Sequence, residues 1–392
     1  MKITAIKTVV VNAQMRNWVF VKVETDQAGL IGWGEASLEW KTRSVVGAVE
    51  DFAPMLIGED PARIEHLYQK MYRQSFWRMG VIGMSAISGI EQALWDILGK
   101  SVNKPVYQLL GGAVRDKVRM YTHLGGGEMK AVYESQFSHD PQVFVERALA
   151  VVSQGYTAVK VLLTPPTESL NRIADYNSAV GLMGALREAL GEGIDIMLDC
   201  HGRHFPANAI EFCRILAPYR PYFIEEPVPP ENVDAMVEVR KASPVPIATG
   251  ERLLTRFGFR ELFEKQACHI IQPDLCHCGG LWEAKKIAAM AETYYMGVAP
   301  HNPLGPVANA AALHFALSTP NFLIQEDMLT DVPWRWEVVQ HALTTENGYW
   351  LKCDAPGLGI EVDEAAAEKY PFKPDIIHAT TVRAHDGAIL DW

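Results

Sequence analysis

The chain has 392 residues, a formal net charge of −11, and a composition that is 48% hydrophobic and 21% charged. That length exceeds the usual single core, so two domains, or one barrel with an appendage, are expected, and nothing in the composition suggests a disordered or fibrous chain. The negative charge, unopposed by any Lys/Arg cluster, excludes nucleic acid as a partner; no apolar run reaches membrane-spanning length, and Met1-Lys2-Ile3-Thr4 alternates like a strand with no signal core behind it, so a cytoplasmic protein that meets no membrane is expected.

Residues 1–34 read as a three-stranded meander, with strands at 3–11, 19–24 and 30–34 and a turn at Gln27-Ala28-Gly29. A predicted loop at 12–18 carries Arg16, Asn17 and an exposed Trp18, and a second at 35–43 holds Trp40 and Lys41. Each offers an aromatic ring and a cation for binding, or is plain surface. Helical spacing then runs from 45 to 99, with apolar residues at Val45, Val46, Ala48 and Val49 and again at Ala86, Ile87, Ile90, Ala93, Leu94 and Ile97. Phe76-Trp77-Arg78-Met79-Gly80 interrupts it as a third candidate loop. Pro105 and Gly111-Gly112 close an N-terminal α+β unit over 1–117.

Beyond Lys117 short apolar strands alternate with helical stretches: 118–123, 158–163, 194–199, 222–225, 246–249, 269–272, 297–300 and 322–325. Such alternation makes parallel strands, and eight of them suggest a closed barrel over 118–353. A doubly wound open sheet competes, but Gly125-Gly126-Gly127 does not fit the Gly-rich first turn of that fold. The tail, 354–392, holds a turn and short strand at Gly357-Leu358-Gly359-Ile360-Glu361-Val362 and is expected to pack back on the N-terminal unit and complete it. The six cysteines include no zinc-type pair of motifs and read as reduced thiols.

In parallel barrels, chemistry gathers at the C-terminal ends of the strands. The third predicted strand ends Leu198-Asp199-Cys200-His201-Gly202, where pleat alternation would turn Asp199 and His201 to one side and Cys200 to the other. Glu225 follows Asp199 by 26 residues and Glu251 follows Glu225 by 26, one strand-helix unit each. Three converging carboxylates would repel one another without a cation, and an all-oxygen set favours Mg²⁺. The plainer alternative is three separate helix caps. Only one of Glu225 and Glu226 can point inward; the equal spacing favours Glu225.

Strand six ends in Gln272-Pro273-Asp274 and strand seven in Pro300-His301-Asn302, so Asp274 can fix the tautomer of His301 and strengthen it as a base. Glu326, at the end of strand eight, would bind a substrate hydroxyl, donate to an oxyanion if protonated, or serve as a cap. Lys160 on strand two has Leu162 as its same-face neighbour, so no second lysine base stands beside it; Lys160 itself snorkels at the rim or meets the substrate.

In this order the residues resemble the enolase superfamily, and within it the mandelate-racemase subgroup. The resemblance runs over nearly the whole chain, through Ala93-Leu94-Trp95-Asp96-Ile97, Leu110-Gly111-Gly112, the acid triad, Gln272-Pro273-Asp274 and His301. Asp199-Cys200-His201-Gly202-Arg203, Phe223-Ile224-Glu225-Glu226-Pro227-Val228, Gly250-Glu251-Arg252 and Ala299-Pro300-His301-Asn302-Pro303-Leu304-Gly305-Pro306 resemble sugar-acid dehydratases of the D-galactonate kind.

The resemblance implies a (β/α)7β modified TIM barrel under an N-terminal α+β capping domain. It implies one Mg²⁺ on Asp199, Glu225 and Glu251, a base in His301 with Asp274, an acid in His201 for the departing hydroxyl, and Glu326 as the eighth-strand acid. The substrate implied is an aldonate such as D-galactonate, D-gluconate or D-mannonate, losing its C2 proton and 3-hydroxyl to give a 2-keto-3-deoxy sugar acid. A homo-oligomer, from dimer to octamer, is implied as well. Cys200 replaces an aromatic of the galactonate enzymes, the loops 126–140 and 165–176 differ from theirs, and His123 resembles mannonate dehydratases. Substrate contacts are expected from His123, Lys160, Arg203, Arg16, Trp40 and Trp77. Two other functions stay open: an epimerase or racemase using the same two histidines, and a sugar-acid binder or regulator without catalysis, which would have little reason to keep triad, dyad and acid together.

Overall fold

The structure, a computed structural model, describes residues 1–124, 140–162, 170–328, 331–374, 383–384 and 386–391. Gly125-Gly126-Gly127, residues 126–139 and 165–169 of the two loops, and part of the tail lie outside the described residues.

The meander forms an antiparallel sheet of β1 (Ile3–Ala13), β2 (Arg16–Thr25) and β3 (Ile31–Glu35). The first connection is tighter than the expected loop at 12–18: pairing continues to Ala13 opposite Arg16, and Gln14 turns the chain in the left-handed region at φ 61°. Trp18 therefore belongs to β2 and is buried, not exposed. Four helices follow, α1 (Thr42–Leu56), α2 (Ile64–Gln74), α3 (Gly80–Ser101) and α4 (Val106–Leu109). Helix α3 lies so close on the sheet that a Cβ at Gly34 would sit 1.9 Å from the carbonyl oxygen of Gly89. Only glycine admits that approach.

The second unit alternates β4 (Lys117–His123), α5 (Pro141–Ser153), β5 (Ala158–Leu162), α6 (Ile173–Leu190), β6 (Asp195–Asp199), α7 (Pro206–Leu216), β7 (Ile224–Glu225), α8 (Val233–Ala242), β8 (Ile247–Thr249), α9 (Thr255–Glu264), β9 (Ile270–Ile271), α10 (Gly280–Glu292), β10 (Gly297–Val298), α11 (Pro306–Ser318) and β11 (Gln325–Glu326). Strands β4 to β10 pair in parallel with their sequence neighbours, Val298 bridges Phe322 just ahead of β11, and β11 pairs with β4. That last pairing closes the sheet into a barrel of the kind the strand-helix alternation implied.

The barrel interior explains where the polar residues go. One buried cluster takes one residue from each strand or its flank: Tyr121, Ala158, Met197, Phe223, Ala248, Ile270, Ala299 and Ile324. Two residues further along each strand the side chain points the same way. Those positions are His123, Lys160, Asp199, Glu225, Gly250, Gln272, His301 and Glu326. An apolar plug thus carries a polar layer on its C-terminal side, and Phe223 inside puts Glu225 inside.

The tail adds β12 (Val339–His341), β13 (Thr345–Glu346), β14 (Tyr349–Leu351), β15 (Ile360–Val362) and α12 (Glu364–Ala367). It ties to the meander and α3, with Trp33 Nε1 donating to Glu361 Oε2 at 2.9 Å and Leu358 N–H to Asp96 Oδ1 at 2.8 Å. No described helix is long and apolar enough to cross a membrane.

Helix α3 also carries a buried polar stripe, Ser85, Ser88, Glu91 and Gln92, which faces the segment after β9. Glu91 accepts from the backbone N–H groups of Leu281 and Trp282 at 2.8 and 2.9 Å, capping α10 from another helix. Burial pushes its carboxyl up from 4.5 to about 7 despite those hydrogen bonds. The folded state therefore holds this proton more tightly than the unfolded state, so stability from this group falls as pH rises from about 4.5 to about 7. Glu91→Gln should flatten that loss, by up to roughly 3 kcal/mol. Urea denaturation of both proteins at pH 5 and pH 8 checks this, and equal pH dependence in the two would refute it.

Candidate active site

Beyond β6 the chain leaves the extended conformation. His201 and Gly202 both take left-handed backbone angles, φ 52° and 64°, and the His201 N–H donates to Asp199 Oδ1 at 2.9 Å. Cys200 and Gly202 donate to the carbonyls of Glu225 and Glu226 at 3.0 and 2.6 Å, so the turn is fastened to the neighbouring strand end. His201 Nε2 comes 3.7 Å from Asp199 Oδ2. The pair shares a side because of this turn, not because of the pleat invoked from sequence. Cys200 packs into the core behind it.

Register places Asp199 directly opposite Glu225, but Glu225 opposite Ala248, so Glu251 lies three residues beyond the register point. The two equal spacings of 26 are thus not equivalent strand positions. Burial and the neighbouring carboxylates push Glu225 well above its ordinary value although Lys160 opposes them; burial likewise lifts Glu251 to about 7 against the pull of His301. Burial would also raise Asp199, but His201, Lys160 and the His201 N–H outweigh it and hold it low.

Lys160 neither snorkels nor sits at the rim. Its ammonium is buried, 2.9 and 3.0 Å from the two oxygens of Glu225, 3.3 Å from Asp199 Oδ2 and 2.6 Å from Glu326 Oε1. No three His, Cys, Asp or Glu side chains among the described residues already form a coordination cage. The donor set nevertheless fits a hard cation. Asp199, Glu225 and Glu251 offer only oxygen, and after burial it is mutual repulsion among the carboxylates, beyond what Lys160 offsets, that raises Glu225 and Glu251.

Across the barrel, His301 Nδ1 meets Asp274 Oδ2 at 2.8 Å and its Nε2 stands 3.5 Å from Glu251 Oε2. Burial disfavours the imidazolium, but Glu251, Asp274 and Glu326 outweigh it and hold His301 well above its ordinary value. At His201 burial outweighs the pull of Asp199 and takes the ring down to about 3.

Glu326 accepts from the backbone N–H of Asn302 at 2.7 Å and pairs with His123 Nε2 at 2.6 Å. Burial alone would raise it, but Lys160, His123 and His301 hold it well below its ordinary value. Of the readings left open for Glu326, these partners favour a carboxylate that accepts hydrogen bonds over a protonated donor.

A cavity of about 370 Å³ opens on this layer. Asp199, His201, Glu251, His301, His123, Lys160, Arg16 and Trp40 line it, while Glu225, Asp274 and Glu326 stand behind those residues. Arg16 is buried, donates to the Pro303 carbonyl and pairs with Glu39 at 2.5 Å, so it fastens the capping hairpin over the barrel. Trp40, at φ 59°, turns the second loop over the cavity mouth.

Two expected contacts do not meet the cavity. Arg203 is buried beneath the turn, and Trp77, 80% exposed, borders a separate hollow with Tyr72, Met79 and Phe257. Arg252 lines the cavity and was missed; its Nε donates to Glu226 Oε2 at 2.7 Å. Its signal was the doubled acid at 225–226, since a second buried carboxylate requires a partner.

The N-terminal part, residues 1–111, matches the family model described as mandelate racemase / muconate lactonizing enzyme, N-terminal domain, and residues 143–366 match that described as enolase C-terminal domain-like. D-galactonate dehydratase of Variovorax paradoxus (strain S110) is 39% identical over 398 residues, covering 100% of both chains, and that of Pectobacterium atrosepticum is 38% identical over 399, again covering 100% of both. Among solved structures, an enolase from Pantoea ananatis with bound D-gluconate and Mg superposes with a TM-score of 0.88 at 32% identity, covering 99% of each chain. A mandelate racemase/muconate lactonizing enzyme-like protein from Roseovarius sp. TM1035 gives 0.88 at 36% identity over 96% of this chain and 97% of its own. A closed parallel barrel, a capping meander and full-length identity above 30% lead to one conclusion: the chain belongs to the mandelate racemase/muconate lactonizing enzyme family of the enolase superfamily.

Proposed function

We propose that the protein is a Mg²⁺-dependent sugar-acid dehydratase, a hydro-lyase that takes the C2 proton and 3-hydroxyl from an aldonate such as D-galactonate, D-gluconate or D-mannonate and releases a 2-keto-3-deoxy sugar acid. The reading rests above all on two histidines that face one cavity from strands four positions apart in a ring of eight, with an oxygen-only acid set between them. Relatives that carry the D-galactonate dehydratase name over the full chain support it, as does a neighbour holding D-gluconate and Mg.

Asp199, Glu225 and Glu251 would hold the ion. When bound, it supplies positive charge against the substrate carboxylate while the α-carbon gives up its proton. Asp274 occupies Nδ1 of His301, which leaves Nε2 to take that proton. His201, across the cavity, donates to the departing hydroxyl; Asp199, close to its Nε2, favours the protonated ring that burial opposes. Glu326, fixed by Asn302 and His123, stands behind Lys160 and His123 and orients those two cavity-lining side chains toward the substrate hydroxyls. Trp40 and Arg16 close the cavity from the cap.

A panel of hexonates and pentonates incubated with the protein and Mg²⁺, scored for 2-keto acid, tests this. Keto acid from at least one aldonate is expected. Deuterium wash-in at C2 without keto acid would indicate epimerisation instead, and neither signal from any substrate would leave a binding protein.

We also propose a division into a cap of residues 1–117 completed by 354–392 and a barrel of 118–353, a cytoplasmic setting suited to six free buried cysteines, and a homo-oligomer. The exposed Phe76 and Trp77, 82% and 80% accessible, support the last, and light scattering measures it.

A further inference from the structure

The carboxylate behind His301 is itself held from behind. Asp274 Oδ1 accepts from the Cys276 N–H at 2.7 Å, and Oδ2 faces two imidazoles, His301 Nδ1 at 2.8 Å and His277 Nε2 at 3.7 Å. His277 is buried, and its other nitrogen lies 2.8 Å from Ser85 Oγ on α3 of the cap. The single proton of that hydroxyl goes to the Val81 carbonyl at 2.7 Å. The oxygen therefore presents a lone pair to His277, Nδ1 carries the proton, and the ring is fixed with Nε2 as a packed wall 3.7 Å from Asp274 Oδ2, beyond hydrogen-bond distance.

The rest of the α3 stripe grips the same loop. Gln92 Nε2 donates to the Leu275 carbonyl at 3.0 Å, Ser88 Oγ accepts from the Gly279 N–H at 3.0 Å, and Glu91 caps the helix that follows. Asp274 thus stands on a loop held by the capping unit, between the base and a ring that the cap orients.

We infer that Ser85 and His277 are positioning residues for His301, forming a relay from the capping helix through Asp274 that sets the carboxylate plane on which the base is aligned. Neither residue touches the cavity, so neither is catalytic. The inference rests on the proposed role of His301 as the base. Its physical content is orientational: with His277 gone, Asp274 Oδ2 loses one wall and can rotate away from His301.

The test pairs turnover with a signal that needs none. In the unsubstituted protein the hydrogen-bonded Nδ1 proton of His301 should give a downfield proton NMR resonance that vanishes in Asp274→Asn. His277→Leu should shift or broaden that resonance and lower kcat by about tenfold, with KM nearly unchanged, in line with partners one shell out from a working histidine. His277→Gln, whose amide can still donate to Ser85 Oγ and fill the space beside Asp274, should recover part of both. Ser85→Ala should act in the same direction, and the double variant Ser85→Ala/His277→Leu should lose no more than His277→Leu alone, since Ser85 works through His277.

An unchanged resonance and unchanged kcat in His277→Leu would overturn the inference, as would independent, multiplicative losses from the two sites. Should His277→Leu not fold, His277→Gln and Ser85→Ala carry the same comparison. Should the unsubstituted protein convert no sugar acid, the proposed function fails, and the resonance alone decides the relay.

Discussion

His301→Asn should lower kcat for dehydration by roughly 10³-fold and abolish exchange of the C2 proton with solvent, with little effect on KM. Asparagine keeps a donor that can reach Asp274, so the loop geometry should survive, but it has no nitrogen able to accept a proton. The effect should be this large because no neighbour can substitute. Lys160 is committed to three carboxylates, His123 to Glu326, and Glu251 belongs to the proposed ion site. Isotope exchange in deuterated water, followed by mass spectrometry of recovered substrate, separates loss of the base from loss of the later step. Exchange persisting at the unsubstituted rate would remove His301 from the role of base.

Much of this site was legible because a barrel presents its strand ends in order. Asp199, Glu225, His301 and Glu326 each follow an inward apolar residue by two, so the strand pattern alone brings them to one layer. Other residues reach the same cavity by a route different from the one the sequence suggested. Glu251 reaches the site from three residues past its register point, and His201 through a left-handed turn held by Asp199, neither of which spacing can express. Trp18 was misplaced because the hairpin turns on Gln14 and keeps pairing where a loop was expected.

Least visible was the contact between distant polar residues. Ser85, Ser88, Glu91 and Gln92 sit in a helix whose apolar face dominates its pattern, and their partners are some 190 positions away. Hydrophobic periodicity reports which face is buried, not which hydroxyl in that face meets a histidine from another domain. Lys160 illustrates the same limit: a lysine in an apolar strand reads as a snorkelling residue, and only the closed barrel shows that three acids surround its ammonium.

His201→Asn should separate the two halves of the reaction. Dehydration should fall by roughly 10²- to 10³-fold, the range for loss of a positioned acid, while C2 exchange continues at a measurable rate. The expectation follows from topology. His201 and His301 stand on β6-end and β10-end turns at opposite sides of the ring, and no hydrogen bond joins one to the other or to a shared partner among the described residues, so removing one leaves the other's setting intact. Asparagine also tolerates the left-handed backbone at this position, φ 52°, better than most residues, so the Asp199 turn should persist. A substrate analogue with fluorine at C3, whose departure needs little protonation, should recover turnover in His201→Asn but not in His301→Asn. That crossed pattern depends on acid and base being distinct groups. Equal loss of exchange and dehydration in His201→Asn would show that the two histidines work as one unit, the behaviour of an epimerase built on a two-base pair.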